Sequence, residues 1–169
     1  GTLLRPILRT RAPTVVGQLA IGLVPSLRAV HRGGQVAVKV YSSGNVAELR
    51  GFQLHLGTSG GTSGSLELVD IVIDKTDDFV FAGQHPWEAF NLDLAQAVAG
   101  LDGSGIPVSG TPSWVSFIYR ASPDASGVFT VDVLHSETDP TQRSYLFATG
   151  SNERVAISGV TMAQIRVVP

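Results

Sequence analysis

The residues of this chain with chemical potential are scattered along it. Gly57-Thr58-Ser59-Gly60-Gly61 reads G-x-S-x-G, the spacing of a nucleophile elbow. Such an elbow needs a strand, a sharp turn and then a helix, so that the serine hydroxyl stands clear beside its base. Here Ser59 is followed by more Gly, Ser and Thr and then by a strand pattern. Residues 57–65, with GTSG twice in tandem, therefore read as a flexible low-complexity loop. His31, His55, His85 and His135 include no pair at the two- or four-residue spacing that lets one strand or helix present two ligands. They read as solvated histidines rather than a zinc site. There is no Cys, which excludes disulfides, a thiolate nucleophile and Cys-ligated zinc.

Asp70, Asp74, Asp77 and Asp78 are the densest acidic group. Oxygen-rich loops can hold calcium, but Lys75 sits among these carboxylates and the EF-hand spacing is absent. The reading preferred here is a solvated turn with no cofactor, calcium being the alternative. No carboxylate pair declares itself as a glycosidase site, because sequence does not give the separation that such chemistry requires. Trp87, Trp114, Tyr41 and Tyr119 could form an aromatic platform for sugar. Trp87 and Trp114 are the candidate carbohydrate-binding residues, with core packing as the competing role. Thr58, Ser59, Thr62 and Ser63 offer hydroxyls for O-linked sugar, whereas Asn45, Asn91 and Asn152 lie in no N-x-S/T sequon.

Elements that could position any such site must come from a chain of 169 residues, 43% apolar and 15% charged. That is globular composition, long enough for one domain with a core. Nineteen Gly and nine Pro imply many turns and few helices. No apolar run approaches the roughly 20 residues that span a bilayer. Net charge is −2, unevenly placed: residues 1–47 carry six cations and no acid, and the remainder carries six cations and fourteen acids. With only two Lys and no basic-aromatic stripe, nucleic acid is not the expected partner.

From residue 35 the pattern is strand and turn. QVAVKVYSS (35–43) places Val36, Val38 and Val40 on one face; FQLHLG (52–57) places Phe52, Leu54 and Leu56 inward and Gln53 and His55 outward. LELVDIVI, DDFVFAG, SWVSFIYRA, GVFTVDVLHS, SYLFATG, RVAISGV and AQIRVVP follow, separated by turn residues. WEAFNLDLAQAVAG (87–100) fits a helical or a strand face, with strand preferred because its neighbours are strands. Many short strands at this spacing predict an all-β, two-sheet antiparallel sandwich.

Two blocks carry a family resemblance, RGGQVAVKVYSSGNVAELRGFQLHLG…LELVDI (32–71) and SWVSFIYRASPDASGVFTVDVLHS…RSYLFATGSNERVAISGVTMAQIRVVP (113–169). Together they resemble cohesin-like modules. Gly34, Leu49, Gly51, Phe52, Leu54, Leu56, Leu66, Glu67 and Val69 hold the positions of the family's early strands. Gly159, Ile165, Val167 and Val168 suit its terminal strand. The resemblance spans about residues 23–169, and GTSGGTSGS stands where the family carries an Asp-Pro pair. It implies a nine-strand jelly-roll sandwich and a secreted, non-catalytic interaction module, with dockerin as the family's partner.

Residues 1–16, GTLLRPILRTRAPTVV, lie outside that resemblance. No Met precedes Gly1, as expected of a processed chain or a fragment, and Arg5 and Pro6 interrupt any signal-peptide apolar region. Leu3, Leu4, Ile7 and Leu8 alternate with Arg5, Arg9 and Arg11, and Pro6 and Pro13 forbid a continuous helix. Apolar burial of four side chains is smaller than the entropy of ordering a dozen residues, so docking this arm requires ladder hydrogen bonds as well. It can add a strand to its own sheet, pair with another copy's sheet edge, or lie on a membrane or an unlike partner. Extended, it reaches roughly 40 Å at about 3.3 Å per residue. The organisation expected is an arm (1–16) followed by one sandwich domain (17–169). The function expected is an extracellular or cell-surface, bacterial or archaeal assembly subunit. It would polymerise with copies of itself through Leu3, Leu4, Arg5, Ile7, Leu8, Arg9 and Arg11. The alternative is a monomeric module that binds a dockerin-like protein or a polysaccharide.

Overall fold

The computed structural model describes residues 13–135 and 143–169. Its architecture is all-β, in two layers. One layer runs β6 (Leu66–Val72), β10 (Ser113–Ala121), β3 (Gln35–Ser43), β1 (Thr14–Pro25) and β13 (Glu153–Thr161). The other runs β7 (Trp87–Asn91), β8 (Gln96–Gly100), β5 (Gly51–Gly60), β11 (Gly127–Val133), β14 (Ala163–Val168) and β2 (Ala29–His31). A short strand, β12 (Tyr145–Phe147), pairs with β5 on one side and β13 on the other, so the layers form one continuous hydrogen-bonded path. β4 (Val46–Leu49) and β9 (Ile106–Val108) make a separate two-stranded ribbon.

The alternating strands lie where their period places them. Val36, Val38 and Val40 of β3 and Phe52, Leu54 and Leu56 of β5 are buried between the layers, the packing that period 2 encodes. The stretch 87–100 is a hairpin of β7 and β8, with turn residues 92–95 between them. Ala95 takes a left-handed φ of 48° there, which a continuous helix would forbid.

Four expectations need correction. The described residues form fourteen strands rather than nine, because three- and four-residue segments such as β2, β4, β9 and β12 are separate ladders. The sandwich is not wholly antiparallel: β1 runs parallel to β13 and β14 parallel to β2. DDFVFAG contributes no strand, since the Phe79, Ala82 and Gln84 N–H groups each donate to the carbonyl three residues back, in successive turns. Phe79 and Phe81 are still buried, and Phe81 stacks on Phe52 with ring centroids 6.1 Å apart.

The fourth correction concerns GTSGGTSGS, which is not a loose loop. Residues 57–60 complete β5, and Ser59 pairs with Thr130 of β11. The remainder is tied to the turn at 122–126. Thr62 N–H donates to the Ser126 carbonyl at 2.7 Å, Ser63 Oγ to the Asp124 carbonyl at 2.7 Å, and Ser65 N–H to Ser122 Oγ at 2.9 Å. Gly64 sits at φ +68°, and a Cβ there would fall 2.5 Å from Ala125 Cα. Glycine is required at that position by both conformation and space.

Candidate protein-binding surface

The groups with chemical potential stay apart in three dimensions. Ser59 lies on an extended, paired strand and is exposed, without the strand-to-helix turn that presents a nucleophile. His31 Nδ1 lies 3.1 Å from the Pro169 carbonyl, beside β14, and His55 is half-buried on β5. Among the described residues no three His, Asp or Glu side chains gather as metal ligands. Asp70 is on β6, its Oδ1 accepting from the Ile71 N–H at 2.8 Å. Asp74, Asp77 and Asp78 follow in the exposed turn beyond that strand. Lys75 leaves this group to pair with Glu88 Oε1 at 2.9 Å.

The two tryptophans have opposite environments. Trp114 is 1% exposed, packs on Phe52 with centroids 4.9 Å apart, and donates its Nε1–H to Ser42 Oγ. A ring so enclosed offers no face to sugar, so Trp114 is corrected to a core residue. Trp87 is 48% exposed at the free edge of the sheet. It sits directly opposite Gly100, where an added Cβ would lie 2.7 Å from its Cζ2. The absence of a side chain at Gly100 lets the indole lie close on the backbone. Tyr119 is a buried core residue whose hydroxyl has no hydrogen-bond partner among the described residues; burial pushes its phenol well above the ordinary range. Tyr41 is half-buried, with Lys39 Nζ 5.6 Å from its ring centroid.

What remains accessible is backbone edge and sheet face. Among the described residues, β6, β7 and β2 each pair on one side only. The β7 edge is also apolar: Trp87, Phe90, Leu92 and Leu94 are all exposed within eight residues. Beside it lies the outer face of β8 and β5. Gln96, Val98, Gln53 and His55 alternate there with the buried Ala97, Ala99, Phe52 and Leu54. Sequence reasoning found the strands of this region but not their shared edge. Composition marks 87–94 as apolar, whereas exposure depends on which strand is outermost.

The arm residues Leu3, Leu4, Arg5, Ile7, Leu8, Arg9 and Arg11 lie outside the described residues. Residues 13–16 of the expected arm do not: Thr14, Val15 and Val16 open β1, where Thr14 and Val15 pair with Glu153 and Arg154. The Thr14 N–H also donates to the Asn152 carbonyl at 2.8 Å.

No family model and no characterised protein sequence matches the chain. Solved structures do. The chain is similar to the third ScaB cohesin of R. flavefaciens, solved in complex with a group 1 dockerin, at a TM-score of 0.62 and 13% identity. That match covers 93% of this chain and 99% of the other. A non-cellulosomal cohesin from the hyperthermophilic archaeon Archaeoglobus fulgidus matches at 0.58 and 15% identity, over 90% and 93% of the two chains. The sixth cohesin of Acetivibrio cellulolyticus scaffoldin B, solved with a Cel5 dockerin, matches at 0.58 and 15%, over 88% and 99%. The chain therefore has the cohesin fold over nearly its whole length, as the motif resemblance implies.

Proposed function

We propose that this chain is a non-catalytic, extracellular protein-interaction module whose partner is another copy of itself. The carrying observation is the free β7 edge with Trp87, Phe90, Leu92 and Leu94 exposed beside it. An unpaired strand with apolar neighbours is a template for an added strand. Leu3, Leu4, Ile7 and Leu8 supply the apolar side chains for such a strand. Arg5, Arg9 and Arg11 supply cations toward Asp93 in the hairpin turn and toward the acidic balance of residues 48–169. A contact from the arm of one copy to the edge of the next is heterologous, and without closure it yields a filament.

Deletion of residues 1–12 tests this reading while leaving the paired Thr14 and Val15 in place. The expected result is loss of assembly in sedimentation and negative-stain imaging. An intact chain that stays monomeric at high concentration would sink the proposal, as would a deleted chain that still assembles.

A second reading is supported by the outer face of β8 and β5, where Gln96, Val98, Gln53 and His55 are half-buried side by side. On that face the module would hold a dockerin-like protein, the kind of partner with which several of the similar cohesins were solved. A polysaccharide would instead be held at Trp87.

A further inference from the structure

Trp87, Gly100, Gly51, Phe147 and Arg154 stand on one row across five adjacent strands, β7, β8, β5, β12 and β13. The row faces outward, because the residues that alternate with it, Ala99, Phe52, Leu146 and Val155, are buried in the core. At about 4.8 Å between strands it is roughly 19 Å long. Two glycines form its floor. Trp87 lies over Gly100, and Phe147 Cδ2 falls 3.5 Å from where a Cβ of Gly51 would stand. Each ring thus reaches inward over bare backbone, from opposite sides of the paired glycines. Tyr145, two residues before Phe147 on β12, holds its ring 6.2 Å from the Phe147 ring.

Cations border these rings. The Arg154 guanidinium lies 4.1 Å from the Tyr145 ring centroid, and that of Arg143 lies 5.9 Å from it. Neither pairs with a carboxylate among the described residues, where Lys75 and Glu88 make the one salt bridge. A guanidinium packed on an aromatic face keeps the N–H groups of its edge free for a planar acceptor. Gln53, opposite Tyr145, donates from Nε2 to the Arg143 carbonyl at 3.2 Å and so ties Arg143 to the same face.

The shape selects the ligand. Protein partners are anchored mainly by side chains sunk into desolvated pockets. Grooves of this sandwich open elsewhere, one at Arg28 and Arg166 and one at Asp78 and Pro112. A row of rings on an open sheet offers stacking area without a pocket. A sugar ring fits such an area, since the C–H bonds on its face are slightly positive and meet the negative face of an aromatic ring. A polymer of sugar rings can cover Trp87 and Phe147 at once, and carboxylates along it would meet Arg154 and Arg143.

We infer that the outward row from Trp87 to Arg154 holds an acidic polysaccharide, its uronate rings stacked on Trp87, Phe147 and Tyr145 and its carboxylates paired with Arg154 and Arg143. This rests on the reading in which Trp87 holds a polysaccharide, and it names the ligand class and the residues that complete the site. Attraction between charges is screened within about 10 Å at 0.1 M salt, so binding weakens as salt rises.

The test is affinity electrophoresis of the full chain in gels containing polygalacturonate, its methyl ester or poly-glutamate. The ester keeps the sugar rings and removes the charge; poly-glutamate keeps the charge and replaces the rings with peptide. Polygalacturonate is expected to retard the chain, with the ester at least about tenfold weaker and poly-glutamate without effect. Among variants with unchanged circular dichroism, Trp87→Ala and Phe147→Ala should each weaken the retardation about tenfold, and Arg154→Gln should reduce it toward that of the ester. The comparison of polymers on the unaltered chain decides the matter even where a variant does not fold. Equal retardation by polygalacturonate and its ester overturns the inference and leaves the polysaccharide reading standing. The same holds if Trp87→Ala abolishes retardation while Phe147→Ala and Arg154→Gln leave it intact. Poly-glutamate acting as strongly as polygalacturonate would mark a site for acidic peptide or for charge alone, and would also overturn the inference. Retardation by neither polygalacturonate nor its ester overturns both.

Discussion

Trp114 Nε1 donates a hydrogen bond to Ser42 Oγ at 2.9 Å, between two side chains that are both buried. The indole is the largest fully buried side chain of the sandwich, and it packs on Phe52, which stacks on Phe81. Ser42 is one of few buried hydroxyls, and its place on β3 next to the end of the strand gives the indole N–H a partner. Ser42→Ala strands that N–H in the core and should cost about 1–3 kcal/mol. Urea unfolding followed by Trp emission measures it, and a change below a few tenths would mean that the bond contributes nothing.

Tyr119 presents the opposite case, a buried hydroxyl without a partner. Tyr119→Phe removes a desolvated polar atom and keeps the ring, so stability should be unchanged or rise by up to about 1 kcal/mol. The pH dependence has a definite sign. Burial raises the phenol's pKa in the folded chain, so the native state holds this proton more tightly than the unfolded chain does. Stability is then full below the unfolded phenol value of about 10 and falls as pH rises above it. The Phe variant should lose this component of the alkaline slope. Denaturation midpoints between pH 8 and pH 11 for the two proteins decide the matter.

Gly64→Ala should be among the most damaging single changes outside the core. A left-handed residue costs about 1–3 kcal/mol when it is not glycine, and the Cβ would also fall 2.5 Å from Ala125 Cα. Gly159→Ala, by contrast, meets nothing within 4 Å and should leave thermal stability nearly unchanged. Equal melting temperatures for the two variants would show that residues 61–65 are free after all.

The tryptophans can be told apart in solution. Acrylamide should quench Trp87 and spare Trp114, given exposures of 48% and 1%. Trp87→Phe should therefore leave a blue-shifted emission that resists quenching. If an insoluble polysaccharide retains the protein, this variant should lose that retention. Retention equal to the unaltered chain's would remove sugar binding at Trp87.

Much of the fold was legible in the residues because one physical rule wrote it. Val36, Val38 and Val40, or Phe52, Leu54 and Leu56, alternate because a strand puts every second side chain on one face. A core beneath the sheet then demands apolar residues there. The same rule failed at DDFVFAG, where Phe79 and Phe81 reach the core from turns. It also failed at GTSGGTSGS, where Ser63 and Thr62 find partners 60 or more positions away. Local composition records what a segment can do alone, and these segments are held by distant ones.

By itself the sequence determined the all-β class, the strand faces, the cohesin-like pattern and the charge asymmetry, since each is carried by residue type and short spacing. Only the tertiary structure decided which strand is outermost, and so that Trp87 is exposed and Trp114 enclosed. It alone brought Arg28 beside Arg166, across 138 positions of chain, and set Val72, just before the turn of Asp74, Asp77 and Asp78, on one row with Ser116, Lys39 and Val24. Those relationships depend on strand order and direction, which arise from pairings between residues remote in the chain and leave no mark on either residue's neighbours.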